Sequence, residues 1–547
     1  MGVLPVPNED SQWADGSGLY SKALKQKSPG VPDPNVFSAF ITEIDRGTAA
    51  GINLPITPHL FEPSTGVALG GTAKENGPQG SFAKQPIGKL SPMYQQPAVP
   101  PPTVGDDDYA VELAELYWAS LLRDVPFTQF VDHTPNRIIK AAVDNLNDHL
   151  ANYRGPVDIT TKKITPRLLF RGGLPANKRK RKLKPLQTDP AAYFSDEIAG
   201  PYMSQFCIWP TSLGAQQIDQ KMLTYMPGQD FMIDPNEWFR IQRGLPPAKK
   251  IMNDPMRKYM HNGRGLCAFT HLDELYQAYF VAYLVLKTWQ AALNPGIPYS
   301  PYSNEHYSNQ QPFGTFGGPD IAGTLGAIAK AAINAVWYQK WAVHLRHRPE
   351  AGGGLVHLWK TGAANPPGAV ASFAANANFA KILDPALKMS SEKYSRPNAK
   401  SAKDKIFLLS QAFPEGSPPH PAYPTGHGTV AGACITALKF FFDCDQRVVN
   451  LVQPMVPSDD GLSLHDYTSA DAWDMTINGE LHKLAHNISF GHGIHAGIHW
   501  RSDTDESLLF GEEVAISFLD AQMTFYSEKC DAIIITKMDG TPKKFSN

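Results

Sequence analysis

Apolar residues recur at intervals of three and four over long stretches after about residue 105, which predicts helices. The stretch 106–127 opens with aspartates and continues with this spacing, so a helix is expected to begin at its acidic end. The stretch 270–293 is apolar around most of its circumference, which predicts a central buried helix. Further helices are predicted over 322–347, 428–443 and 511–528.

Strand signals are few. The C-terminal stretch 531–545 contains an Ile-rich run followed by Asp539-Gly540, the residue pair that favours a tight hairpin turn. The predicted fold is therefore mainly α: helical bundles with long loops and a small C-terminal β-hairpin.

Residues 1–105 differ from the remainder because they are rich in Pro and Gly and lack long periodic patterns. Apolar islands at 37–41, 52–56 and 59–61 favour docking over disorder. We therefore expect two parts, an N-terminal arm (1–105) that wraps a neighbouring surface and a helical domain (106–547).

Charge and composition argue against several classes of protein. The chain has 547 residues and a formal net charge of −2, which gives no overall preference for nucleic acid. The basic run 177–184 is expected to be a solvated loop, with a nuclear signal or polyanion patch as the alternative. The longest apolar run, 278–286, is too short for a membrane helix.

Five scattered cysteines without a CxxC motif argue against a disulfide framework and favour a reducing compartment. The first residues lack the basic start and apolar core of a signal peptide, so a cytoplasmic location is expected, while export stays open.

Lys340 and Arg348 are the first candidate for chemistry. Eight residues on a helix correspond to a rise of about 12 Å and an angular offset of about 80°. Pro349 disfavours helical geometry at Arg348, so the helix is expected to end there. The two long side chains could then reach one shared anion. The alternative is a basic helix end that offsets the helix dipole.

The second candidate is the stretch Pro424 to His427, directly before a small-residue helix. Unpaired amides at a helix start bind anions, and Gly426 lets the backbone approach a ligand closely. Thr425 adds a hydroxyl, and His427 would act there as a general acid or base. The alternative is an ordinary helix cap with a surface histidine.

The third candidate is a group of histidines, His492, His495 and His499, whose spacing predicts one shared helix face. Asp503, one turn beyond His499, could orient its ring. The zinc motif HExxH is absent because Ala496 stands where its glutamate would be. The alternative is unrelated polar packing.

Together these stretches resemble the vanadium-dependent haloperoxidases, which share a motif and a helical core with bacterial acid phosphatases. The matching residues extend over 106–516, with the longer lysine-to-arginine spacing of the algal bromoperoxidases. The matched positions are Lys340, Arg348-Pro349, Pro424-Thr425-Gly426-His427, His499, Asp503 and, as in the red-algal branch, His420.

The resemblance implies roles for these residues and makes 106–547 a vanadate-binding catalytic domain. His499 would bind vanadium axially, and His427 would take up and release protons with support from His420. Lys340 would also polarise bound peroxide. The vanadate oxygens would be held by Lys340, Arg348, Thr425 and the Gly426 amide.

The implied reaction is oxidation of halide, bromide above all, by hydrogen peroxide to hypohalous acid, which halogenates small organic acceptors. Trp337, one turn before Lys340, is a candidate wall of a halide pocket, with core packing as the alternative. The resemblance also implies a homo-oligomer based on dimers, with a dodecamer as one form.

One position departs from the family pattern. The family has an arginine six residues before the axial histidine, where this chain has Gly493. His492, His495 and Arg501 are the candidates to replace it.

Two other functions stay open at this point. A vanadate-inhibited phosphatase would use the same site, with His499 as nucleophile. A non-catalytic oxyanion-binding assembly protein would explain the missing arginine. The eight-residue gap and His420 favour the peroxidase.

Overall fold

The computed structural model describes residues 15–49, 76–78, 80, 98–158, 160–173 and 195–546. The basic run 177–184 and the apolar islands 52–56 and 59–61 lie outside these residues.

Helices dominate the described chain, and its strands form four short antiparallel pairs. The helices are α1 (Pro34–Ala49), α2 (Asp107–Leu122), α3 (Arg137–Asn147), α4 (Ser195–Ile198), α5 (Pro235–Gln242), α6 (Gly263–Leu272), α7 (Gln277–Thr288), α8 (Gly318–Tyr338), α9 (Pro349–Thr361), α10 (Val370–Ala375), α11 (Phe379–Tyr394), α12 (Gly426–Phe441), α13 (Ile477–Phe490) and α14 (Arg501–Met523). The strands are β1 (Gln26–Ser28), β2 (Val31–Pro32), β3 (Thr211–Leu213), β4 (Gln216–Ile218), β5 (Met455–Pro457), β6 (Leu464–Asp466), β7 (Ile533–Thr536) and β8 (Pro542–Phe545).

The predictions of a mainly helical fold and a C-terminal hairpin are confirmed. Strands β7 and β8 pair antiparallel, with Thr536 opposite Pro542. Gly540 takes a positive φ of 85° in the turn between them, a conformation that glycine adopts without strain.

Helices α12 and α14 cross closely at the centre of the molecule because small residues let their backbones touch. A Cβ atom at Gly432 would lie 2.0 Å from the carbonyl oxygen of Leu508, and Gly511 on α14 is equally confined. Every residue of α12 is buried. The crossing brings the start of α12 to α14, where the amide of Thr425 donates to Ser507 Oγ at 2.7 Å.

Two central helices continue into π turns. The first, Gln339–His344, extends α8, and the second, Gly491–His495, extends α13. π turns are rare and occur frequently at functional sites. The first carries Lys340 and the second carries His492. Each wide turn therefore changes the direction in which one candidate side chain points.

Two predicted helices are corrected. The stretch 270–293 is split, because the extended backbone of Asp273 (φ −72°, ψ 152°) ends α6 before α7 begins at Gln277. The helix over 322–347 stops at its π turn, where Leu345 is left-handed. Arg348 is therefore not a helix end; it is the extended residue before α9, and Pro349 takes the first helical position.

The described N-terminal residues 15–49 pack against their own chain. Tyr20 and Phe40 make edge contacts with the fully buried ring of Trp341 on the first π turn. Lys22 forms an ion pair of 3.0 Å with Glu350 on α9. This segment thus supports the back of the π turn that carries Lys340. The division into arm and domain stays a prediction.

Among the described residues, no helix combines the length and apolar character needed to cross a membrane.

Candidate active site

Lys340 lies fully buried on the first π turn and ties it to the loop before α12. Its Nζ donates to the carbonyl oxygens of Pro421 and Ala422, each at 2.8 Å. An ammonium group has three N–H donors, so one is left for a ligand. Burial, followed by the charge of Arg348, lowers the pKa of Lys340 well below its usual value.

Arg348 links its own stretch to His420 and to the segment that carries His499. Its Nε donates to the carbonyl oxygen of His420 at 3.0 Å, and its Nη1 to that of Ile498 at 3.1 Å. Nη1 also lies 2.7 Å from Nε2 of His499, and Nη2 lies 3.0 Å from Nδ1 of His420. Burial lowers the pKa of Arg348 to about 10. The guanidinium remains charged at neutral pH.

His499 is held from the opposite side by Asp503. Its Nδ1 lies 2.9 Å from Asp503 Oδ2, which also accepts the amide of Trp500 at 3.0 Å. Burial and the charges of Arg348 and Lys340 lower the pKa of His499 well below its usual value. The ring is therefore neutral, with a proton on Nδ1 and an acceptor lone pair on Nε2 facing Arg348.

The start of α12 presents polar groups to the same place. Thr425 is fully buried and precedes the helix in an extended conformation. Within the described chain, no side chain caps this helix, and Thr425 Oγ1 is buried without a hydrogen-bond partner. A Cβ at Gly426 would lie 3.3 Å from Ile333 and 3.5 Å from Trp337. The uncapped amides and the free hydroxyl together suit an oxyanion.

His427 contacts two residues that give it a chemical role. Its Nε2 lies 3.0 Å from Oδ1 of Asp273, the residue that ends α6. Its ring stacks on His492 with centroids 4.1 Å apart, and His492 in turn lies 5.7 Å from His499. His492 Nδ1 is buried and has no partner among the described residues. The second π turn thus directs His492 into the cluster.

His420 and Trp337 form one wall of the cluster. Their rings lie 4.8 Å apart, and the half-buried indole of Trp337 also stands 5.9 Å from Lys340 Nζ. The indole Nε1 donates to the carbonyl oxygen of Asn76 at 3.1 Å, and the amide of Asn76 donates to Pro419 at 2.8 Å. Part of the N-terminal arm therefore lies against this wall.

Two sequence candidates lie outside the cluster. His495 faces the opposite way, with Nε2 3.0 Å from the Tyr202 hydroxyl. Arg501 forms a two-point ion pair with Glu115, its Nε 2.8 Å from Glu115 Oε2. His492, His495 and His499 do not share a helix face, because the π turn ends before His499 and the chain is non-helical there.

Two residues that contact the site were not predicted from the sequence, Asp273 and Arg346. Asp273 lies 154 residues before His427, and nothing in its local sequence marks it. Arg346 donates to Asp503 Oδ1 at 2.7 Å. Its position between Lys340 and Arg348 in a basic stretch was the one signal that pointed toward it.

The charge balance of the cluster identifies the ligand class. Within the described chain, Lys340 and Arg348 are buried cations without a direct carboxylate partner. Buried charges are normally paired, so this arrangement favours a bound anion. The Thr425 hydroxyl and His492 Nδ1 are further polar groups for which the described residues provide no partner. The site therefore suits an oxyanion beside the Nε2 lone pair of His499.

Comparison with known proteins agrees with this geometry. The family model described as the VCPO second helical-bundle domain matches residues 398–528. A vanadium-dependent bromoperoxidase of Corallina officinalis is 31% identical over 98% of this chain and 92% of its own. Another, from Ascophyllum nodosum, is 31% identical over 83% of this chain and 77% of its own.

A solved structure extends the likeness to the fold. It is a homohexameric second vanadate-dependent bromoperoxidase from Ascophyllum nodosum, with a TM-score of 0.81 and 24% identity. The match covers 99% of this chain and 87% of that chain. Because this chain is 31% identical to a relative over 98% of its length, it belongs to the family of vanadium-dependent bromoperoxidases.

Proposed function

We propose that this chain is a vanadate-dependent haloperoxidase that oxidises bromide with hydrogen peroxide to hypobromous acid, which then halogenates small organic acceptors. One observation carries the proposal: Arg348 lies 2.7 Å from Nε2 of His499, Lys340 acts electrostatically on the same ring, and among the described residues neither of these buried side chains has a direct carboxylate partner.

The residues present fit vanadate. An oxyanion such as vanadate would need cations, hydrogen-bond donors and, for attachment to the protein, a neutral imidazole nitrogen. Lys340, Arg348 and the start of α12 supply the first two, and His499 supplies the third. Such a ligand would satisfy the Thr425 hydroxyl and His492 Nδ1, two buried polar groups that have no partner in the part of the chain that the structure describes. Bound vanadate supplies a Lewis acid that activates peroxide toward halide.

His427 is the residue proposed to move protons. Its Nε2–H donates to Asp273, which fixes the tautomer and leaves Nδ1 as an acceptor. A proton taken up at Nδ1 would be stabilised by the carboxylate of Asp273, which has a 3% exposed side chain. Stacking on His492 keeps the ring in place. His420, which contacts Arg348, is proposed to orient that guanidinium.

His492 is proposed to replace the arginine that the family has at the position of Gly493. Two observations support this: the π turn directs its ring between His427 and His499, and its Nδ1 has no partner among the described residues. As a neutral ring it would donate one hydrogen bond and add no charge. A neutral donor binds an anion less strongly than a guanidinium.

Trp337 is proposed as a wall of the halide pocket, because its half-buried indole lies against His420 and near Lys340. Replacing Trp337 with Phe should change the ratio of bromide to chloride oxidation rates. An unchanged ratio would remove the proposal.

We also propose that the chain forms a homo-oligomer built from dimers, with a dodecamer as one form. The solved relative, described as a homohexamer, is compatible with assembly from dimers. Light scattering after size-exclusion chromatography would measure the assembly, and a monomer at micromolar concentration would contradict it.

The activity is tested on the purified full chain. The protein is stripped with chelator, titrated with vanadate, and assayed for bromide oxidation by peroxide beside hydrolysis of a phosphate ester. Bromination that rises with vanadate is expected. Ester hydrolysis that vanadate inhibits would show a phosphatase, and oxyanion binding with neither activity would show a non-catalytic protein.

A further inference from the structure

We propose that Arg346 is a positioning residue that acts through Asp503 to hold His499 in its vanadate-binding form. The inference deepens the proposed function and rests on it. The side-chain hydrogen bond that links Arg346 to His499 runs from its Nη1 to Asp503.

The Arg346 side chain is buried and contacts α14, α2 and the ring of Trp500. Its Nη1 donates to Asp503 Oδ1 at 2.7 Å and to Ser502 Oγ at 2.8 Å. Its Nη2 lies 3.3 Å from Oε2 of Glu112 on α2. Its guanidinium stands 4.8 Å from the ring centre of Trp500. With 1% of the side chain exposed, these contacts hold the guanidinium in one orientation.

The two carboxylate oxygens of Asp503 accept hydrogen bonds from different partners. Oδ1 takes the guanidinium, and Oδ2 takes His499 Nδ1 and the Trp500 amide. The carboxylate is 0% exposed, so its orientation depends on these buried hydrogen-bond partners. Arg346 is the arginine that the structure pairs with it.

Asp503 Oδ2 accepts the Nδ1–H of His499 and so leaves Nε2 with its lone pair. Without Arg346, Oδ1 of Asp503 would lose its guanidinium donor, the carboxylate would be able to turn, and it would cease to orient the imidazole. A displaced or inverted ring would bind vanadate less well. Loss of a group that orients a metal ligand typically lowers affinity by about 10- to 100-fold.

The chain offers a matched control in Arg501. It forms a second buried ion pair, from the start of α14 to Glu115, one turn along α2 from Glu112. Arg346 and Arg501 are each 1% exposed. Arg501, however, points away from His499, toward Tyr153 and Phe490. Its removal should reduce stability in a similar way without changing the site.

The test measures equilibrium binding of inorganic vanadate to chelator-stripped full-length protein, by dialysis and vanadium analysis. The variants are Arg346→Met, Arg346→Lys, Asp503→Asn, the double variant Arg346→Met with Asp503→Asn, and Arg501→Met. Circular dichroism and thermal unfolding show which variants are folded. Arg346→Lys keeps the charge and is the variant to use if Arg346→Met does not fold.

We expect about 10- to 100-fold weaker binding for Arg346→Met and for Asp503→Asn, and a smaller loss for Arg346→Lys. The double variant should be no weaker than Asp503→Asn alone, because both changes remove one pathway. Arg501→Met should bind as the wild type does. Independent, multiplying losses in the double variant, or wild-type affinity in both Arg346 variants, would overturn the inference. A wild-type protein that binds no vanadate would instead overturn the proposed function.

Discussion

The Nη1 atom of Arg348 lies 2.7 Å from Nε2 of His499, while Nδ1 of the same ring lies 2.9 Å from Asp503. The imidazole is thus an acceptor toward the cationic side and a donor toward the carboxylate. Burial and the neighbouring cations lower its pKa well below the usual value. The Nε2 lone pair of His499 therefore faces a cation, and a ligand that binds at Nε2 would replace this contact with Arg348.

Replacing His499 with Gln should abolish tight vanadate binding, because an amide cannot supply the imidazole lone pair. His495→Gln is the matched control, since that buried histidine contacts Tyr202 and lies outside the cluster. Equilibrium dialysis measures both variants. Wild-type vanadate affinity in His499→Gln would remove this residue from the site.

Replacing His492 with Phe should weaken vanadate binding by about tenfold, which corresponds to about 1.4 kcal/mol, one net hydrogen bond. Phe keeps an aromatic ring against His427 and removes the buried Nδ1. The dissociation constant of vanadate is the measurement. If His492→Phe bound vanadate as tightly as the wild type, His492 would be a packing residue.

Replacing His427 with Gln should lower bromide turnover by about 10²- to 10⁴-fold, the usual contribution of a general acid–base group. Vanadate affinity should change much less, since the other residues still hold the anion. Asp273→Asn should cause a smaller loss, because the ring stays while its stabilising charge is removed. Steady-state rates at saturating vanadate test this pair, and equal turnover in wild type and His427→Gln would contradict the assignment.

Replacing Gly432 with Ala should destabilise the fold by about 1–3 kcal/mol, the usual cost of overpacking. The added Cβ would lie 2.0 Å from a backbone oxygen of α14, so the crossing of α12 and α14 would have to open. Gly323→Ala on α8 is the control, because no described atom lies within 4 Å of its added Cβ. Chemical denaturation compares the two variants, and equal midpoints would argue against the close crossing.

Acid should destabilise the protein below pH 6.5, and His357 should account for part of this loss. Burial lowers the pKa of His357 from 6.5 to about 4. Between these values the unfolded chain binds the proton and the folded chain does not, so the free energy of unfolding falls as pH falls. Each such histidine contributes up to about 1.4 kcal/mol per pH unit. His357→Gln should reduce that slope between pH 6.5 and 4, as measured by denaturant unfolding; an unchanged slope would contradict it.

The sequence predicted the helical class, the C-terminal hairpin and most of the central helices, because these follow from local periodicity and turn residues. It also selected Lys340, Arg348, Thr425, His427 and His499, which the structure brings together around one small region. Their selection depended on motif spacing, since each stretch alone had an ordinary alternative.

What the sequence could not predict depends on long-range packing. The apolar spacing at Gln339–His344 and Gly491–His495 continues as in an α-helix, but both segments form wider π turns. The directions of the His492 and His495 side chains were predicted from α-helical spacing and were therefore wrong. Asp273 reaches His427 because α6 ends beside the start of α12. Arg346 acts across the chain on Asp503. Such contacts have no local signature.

The central claim is that one oxyanion site is built around His499, and locating bound vanadium tests it most directly. Crystals of the full chain grown with vanadate would be measured at the vanadium absorption edge. The account predicts one anomalous peak per chain, bonded to Nε2 of His499 and adjacent to Lys340, Arg348 and the first amides of α12. A peak elsewhere, or an ordered site without vanadium at saturating vanadate, would contradict it.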